Sequence, residues 1–131
     1  MTARTLDLTA LAAQYLEAWT SHDVDAIVAM HTADARFQTH GRTDVITGRD
    51  ALRQTFAGIL DLYPNLGCDT HRLLFGPAHW VLDWTLTFDA ADGQRRGFQC
   101  LDVVEVSEGL VSRKDTYFDF AQARAAFGGQ A

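Results

Sequence analysis

Four side chains stand where they could do proton chemistry: Tyr15, Asp102, Lys114 and His40. Tyr15 falls on the apolar stripe of what reads as the first helix, and Asp102 falls inside the apolar strand-like run 98–106. If the fold joins them, a phenol and a carboxyl meet in a dry pocket, an arrangement that holds an oxyanion or a polarised carbonyl. An isolated carboxylate among Phe98, Cys100 and Val104 is costly, so Asp102 is either protonated, as an oxyanion donor must be, or meets a cation. Lys114 is the natural cation: it shares a face with Ser112, Thr116 and Phe118 on the next run, and neighbouring antiparallel strands can set it opposite Asp102. Two readings of that pair stay open, a structural ion pair across a pocket wall and an acid/base pair in which an ionised Asp102 is the base. His40 has the intrinsic pKa for proton transfer near neutrality, but alternation turns it away from Thr39 unless the strand has ended, which leaves a solvated loop histidine as the competing reading. For Tyr15 the competing reading is a core aromatic whose hydroxyl finds a backbone partner.

The elements that must position these groups follow from periodicity. Leu8, Leu11, Ala12, Tyr15, Leu16 and Trp19 repeat at helical spacing and predict a helix over 7–20. Val24, Ile27, Val28 and His31 continue the spacing in a short second helix, which places His31 on its inner stripe, and 35–39 reads as a brief strand ended by Gly41. Thr47 and Asp50 form a capping-box variant opening a third helix, with Leu52, Thr55, Phe56, Ile59 and Leu60 inward and Pro64 as its stop. From Leu66 the period changes to two: Trp80, Leu82, Trp84, Leu86 and Phe88 share one face, Val81, Asp83, Thr85 and Thr87 the other. Turns at Asp92-Gly93 and Glu108-Gly109 lead into 96–106 and 110–120, giving a three-strand meander, and 121–127 is a last amphipathic piece before Gly128-Gly129. Helices first and a long meander after is an α+β order: a cone-shaped, curved, mostly antiparallel sheet with helices packed on its concave face.

Composition bounds the function. At 131 residues the chain reads as one domain over 1–131, long enough to remove roughly 65–70% of its unfolded surface from water. With 11 Lys plus Arg against 17 Asp plus Glu, and no basic stripe, nucleic acid is not the expected partner. The N-terminal segment 1–8 carries Arg4 and Asp7 without an apolar core, and no stretch has the length of a membrane span, so a cytoplasmic location without a membrane partner is expected. Cys68 and Cys100 sit in apolar runs and read as small core hydrophobes rather than a disulfide framework. The five histidines form no metal motif, and no dinucleotide, phosphate-loop or serine-hydrolase signature occurs, so neither metal nor cofactor is expected.

Residues 15–35 (YLEAWTSHDVDAIVAMHTADA), 47–52 (TGRDAL), 101–106 (LDVVEV), 109–111 (GLV) and 115–119 (DTYFD) resemble the nuclear transport factor 2-like superfamily, in its SnoaL-like polyketide cyclase and ketosteroid isomerase-like branch. The resemblance spans nearly the whole chain and implies the cystatin-like α+β barrel of that superfamily. It is specific for fold and weak for reaction, since this superfold carries isomerases, cyclases, dehydratases, epoxide hydrolases and binders. By resemblance, Tyr15 matches the tyrosine that donates to the oxyanion in ketosteroid isomerases, and Asp102 matches their protonated aspartic acid, with the cyclases placing an acid/base aspartate nearby. The isomerases' proton-shuttling carboxylate is Thr39 here, followed by His40, and a hydroxyl does not abstract a carbon-bound proton at neutral pH.

These readings converge on a pocket for a small apolar or carbonyl-bearing molecule. Tyr15, Asp102, His40 and Lys114 are the candidate proton-handling groups, and Trp19, His31, Thr39, Phe56, Trp84, Cys100 and Phe118 the candidate substrate contacts. The first expectation is a cofactor-free isomerase, cyclase or lyase; the alternative is a non-catalytic binder of an unknown ligand. The outward residues Val81, Thr85, Thr87, Leu101 and Val103 are too apolar and β-branched for solvent alone and predict a homodimer through the sheet face, as the resemblance also implies.

Overall fold

Asp7 opens the first helix, α1 (Leu8–Thr20), by accepting a hydrogen bond from the Ala10 amide at 3.2 Å, and the stripe Leu8, Ala12, Tyr15 and Trp19 is buried. Asp23 caps α2 (Val24–Ala29) in the same way. The structure, a computed structural model, describes residues 7–128. The outer ends of the domain expected over 1–131, including most of the charged N-terminal segment and Gly129, lie outside the described residues.

Past α2 the chain departs from the sequence expectation. The helix stops at Ala29, and His31 begins a nine-residue strand, β1 (His31–Thr39), rather than finishing the helix. The cause is non-local: the Val111 amide donates to the Met30 carbonyl at 2.8 Å, and the strand then runs parallel to β6 (Leu110–Phe118). A two-residue strand, β2 (Ile46–Thr47), pairs with Arg36 and Phe37, so Thr47 belongs to the sheet and does not cap α3 (Arg49–Leu62). Gly48 caps that helix at φ 92°, a backbone conformation open to glycine.

The meander has four strands rather than three: β3 (Gly67–Phe75), β4 (His79–Asp89), β5 (Arg95–Ser107) and β6. The sheet order is β2-β1-β6-β5-β4-β3, antiparallel except at β1/β6, and its two edge strands do not meet, so the barrel stays open. On β4 the alternation is as read: Trp80, Leu82, Trp84, Leu86 and Phe88 are buried under the helices. The helix α4 (Phe120–Ala126) follows β6, capped by Asp119. The architecture is the expected α+β one, a curved sheet with helices on its concave face. No described helix is long and apolar enough to cross a membrane.

Candidate functional site

Strand register assembles the site. On β5, Asp102 faces inward between Leu82 of β4 and Thr116 of β6, and on β6, Lys114 lies one diagonal step away, opposite Val104 rather than opposite Asp102. The diagonal is short enough for Lys114 Nζ to stand 3.8 Å from Asp102 Oδ2, while the Thr116 hydroxyl donates to Asp102 Oδ1 at 2.9 Å. Tyr15 descends from α1 onto this pair: the ammonium lies 5.1 Å from its ring centroid and 4.4 Å from that of Trp19. Lys114 is the only lysine in the chain, the other ten basic residues being arginine. The fold places its one ammonium in the interior, where lysine almost never goes without a partner.

Burial and charge set the protonation states. Burial pushes the Asp102 carboxyl above its ordinary range, and Lys114, Thr116 and Trp84 oppose that without cancelling it. For Lys114, burial pulls downward, but the oxygens of Tyr15 and Asp102 more than offset it and leave the ammonium raised. Lys114 therefore keeps its proton at neutral pH, and its ammonium faces the Asp102 carboxyl across 3.8 Å on the floor of the site. The Trp84 indole N–H lowers the Asp102 pKa but completes no hydrogen bond, and the Trp19 indole N–H is likewise unpaired among the described residues.

Behind Tyr15 lies His31, fully buried and bonded on both ring nitrogens. Its Nδ1 is 2.8 Å from the Ile27 carbonyl, which only accepts, so Nδ1 carries the hydrogen. Burial first, then Lys114 and Arg49, depress the His31 pKa to about 4, so the ring is neutral at pH 7 and Nε2 holds a lone pair. The Tyr15 hydroxyl, 3.1 Å from Nε2, accordingly donates to His31 and turns its own oxygen lone pairs toward Lys114. The hydrogen that an oxyanion would need is committed elsewhere.

A cavity of about 230 Å³ opens above this floor between α1, α3 and the sheet. Of the residues expected around it, Tyr15, Trp19, Thr39, Trp84, Cys100, Asp102, Lys114 and Phe118 line it. Three do not. His31 is screened by Tyr15, and Phe56 is wholly buried behind Trp19, with ring centroids 4.9 Å apart. His40 follows the last residue of β1 and points to the opposite face, where its Nε2–H donates to Asp115 at 2.8 Å and its ring stacks on Tyr117 at 4.0 Å. Arg113 and His40 together hold the Asp115 carboxyl below its usual range despite its burial. His40 is thus outside the candidate proton-handling group. Sequence reading missed Arg42, Tyr63 and Cys68 as lining residues. Thr116 was visible by strand parity as a face-mate of Lys114; Arg42 and Tyr63 reach the cavity from a turn and a helix end, where no period marks them. Burial raises Cys68 to about 11, so its thiol is not a nucleophile at pH 7.

Comparison with known proteins agrees with this architecture. The profile of the SnoaL-like domain matches residues 12–114. No curated protein matches the chain in sequence. Among solved structures, a protein of Jannaschia sp. CCS1 assigned to the SnoaL-like polyketide cyclases superposes with TM-score 0.82 at 14% identity, over 100% of this chain and 99% of that one. A ketosteroid isomerase-like-fold protein of Catenulispora acidiphila DSM 44928, in complex with trimethylamine, gives 0.80 at 13% identity over 90% and 92%. The epoxide hydrolase/cyclase-like enzyme SalBIII, described in pyran ring formation in salinomycin, gives 0.76 at 21% identity over 87% and 92%. At these identities the likeness shows a shared fold. With most of its length matched by one family profile and its fold shared with those structures, the chain belongs to the SnoaL-like domain family.

Proposed function

We infer that the chain is a cofactor-free acid/base catalyst, an isomerase or cyclase, acting on a carbonyl-bearing apolar molecule. The observation that carries this reading is the ion pair Lys114–Asp102 on the floor of an otherwise apolar cavity. A carbonyl oxygen set against the Lys114 ammonium gains a charged donor in a low-dielectric site, where it is worth most. Asp102, its carboxylate basicity raised by burial, takes the proton from the carbon next to that carbonyl; the electron pair moves to the oxygen held by Lys114. Where a carbon–carbon double bond adjoins the enolate, returning the proton at the far carbon of that double bond completes an isomerisation, and attack of the enolate carbon on an internal electrophile, which takes up the electron pair, completes a cyclisation. Tyr15 shares the ammonium through its lone pairs and holds it toward the cavity.

Incubation with a panel of ketones and 1,3-dicarbonyl compounds in D₂O tests the reading across a whole class of carbonyl acids. Deuterium should enter next to the carbonyl, and Asp102→Asn should slow that exchange at least about 100-fold. Equal exchange by Asp102→Asn removes the base from the mechanism. A second reading, a non-catalytic binder, draws support from Thr39 standing at the position of the isomerase base and from the commitment of the Tyr15 hydrogen to His31. Under that reading a metabolite co-purifies unreacted and is not turned over on incubation.

We also propose a homodimer through the outer sheet face, where Val81, Leu101 and Val103 are half-buried in the single chain and Leu74 and Tyr117 are exposed beside them. Sedimentation equilibrium at micromolar concentration should give twice the chain mass. A single-chain mass there would defeat it.

A further inference from the structure

We propose that the mouth of the cavity is an acid-recognition subsite in which Arg42 receives the carboxylate of the ligand, so that the preferred ligand is an apolar acid and not a neutral hydrocarbon ketone. The proposal rests on the reading of the cavity as a ligand pocket and adds the class of molecule it takes.

Arg42 lines the cavity yet is itself exposed, so it stands where cavity meets solvent, whereas Lys114 is buried. Its guanidinium is positioned, not free: Cζ lies 5.0 Å from the Phe118 ring centroid and 5.5 Å from that of Phe120. The turn that presents it is fixed as well. The amides of Arg42 and Thr43 both donate to the Thr39 carbonyl at 3.0 Å, and the preceding Gly41, at φ 86°, packs so closely that a Cβ there would come within 2.6 Å of the Phe120 ring. Two aromatic rings and a glycine turn thus hold a cation over the opening.

That cation lacks an acid. Among the described residues, the ion pairs engage Arg53, Arg72, Arg95, Arg96, Arg113, Lys114 and His40, and none engages Arg42. This holds in a chain where acidic residues outnumber basic ones, 17 to 11. The floor cation is different, already neutralised by Asp102. An anionic group entering the cavity therefore has its one uncompensated partner at the mouth. Tyr63, a phenol on the same lining, lies near enough for the Arg42 charge to oppose the upward push of burial on its pKa, and supplies a second donor there. A planar guanidinium is suited to a carboxylate, which it grips through paired N–H bonds. Lys114 and Phe118 are separated along β6 by roughly 13 Å of strand, so the acid and the carbonyl occupy opposite ends of the ligand.

Isothermal titration with decanoate and its uncharged counterpart decanamide, on the wild type and on Arg42→Gln, tests the assignment. The wild type should bind decanoate roughly tenfold more tightly than decanamide, the margin of one charge-assisted contact. Arg42→Gln should erase that margin by weakening decanoate, and the wild-type margin should shrink in high salt. Equal binding of the two probes by the wild type, or a margin that survives Arg42→Gln, overturns the acid subsite and leaves the ligand-pocket reading standing. Failure of both probes to bind overturns both.

Discussion

Lys114→Met should cost the fold about 3–5 kcal/mol at neutral pH, because removing one member of a buried ion pair strands the other charge. Asp102 would be left with the Thr116 hydroxyl as its only hydrogen-bond donor among the described residues, in a site it enters nearly without solvent contact. The sign of the pH dependence separates this from a simple loss of packing. Without Lys114 the folded-state carboxyl rises further above its unfolded value, so its protonated form carries the stability, and the deficit deepens as pH climbs through that raised pKa. Urea denaturation across pH 5–8 should show the gap between variant and wild type widening with pH. Replacing both members together, Lys114→Met with Asp102→Leu, should recover most of the loss, since no charge is then left buried. A double variant no more stable than Lys114→Met would show that the lysine stem, not the charge, matters to the fold.

The second large effect is acid sensitivity centred on His31. Its folded pKa of about 4 lies below the ordinary 6.5, because burial disfavours the imidazolium and Lys114 and Arg49 add to the penalty. For a depressed folded pKa the stabilisation is complete above 6.5 and is lost as pH falls toward 4; a shift of this size is worth about 3 kcal/mol. Most carboxylates titrate below much of this window, so the early part of acid unfolding should belong to His31. The check is twofold. Nitrogen-15 NMR should show His31 as the Nδ1–H tautomer at pH 7, still neutral at pH 5.5, and His31→Gln should flatten stability between pH 6.5 and 5. A His31 resonance titrating near 6.5 in the folded protein would defeat the account.

What the chain reveals without its fold follows the reach of each signal. Side-chain alternation is local, so the inward direction of Asp102, Lys114, Trp84 and Phe118 is legible, and so is the buried stripe of α1 that carries Tyr15. Register is not local: that Lys114 opposes Val104 and reaches Asp102 on the diagonal depends on the irregularity between Glu105 and Val106, which no period announces. Helical spacing puts His31 at the right depth on the wrong element, because the parallel pairing that draws it into β1 comes from a strand some eighty residues on. Alternation correctly turns His40 outward, but its Asp115 partner becomes visible only once β6 lies beside β1. The Tyr15–His31 bond joins a helix to a strand that spacing alone does not bring together, and it changes what the phenol can give.

The placement of the tryptophans has a practical consequence. All three of the chain, Trp19, Trp80 and Trp84, border the cavity, two of them with indole N–H groups unpaired among the described residues. The protein should therefore be its own optical reporter: a ligand in the cavity changes the surroundings of all three indoles, and a shift of their emission on titration should register occupancy with no dye attached.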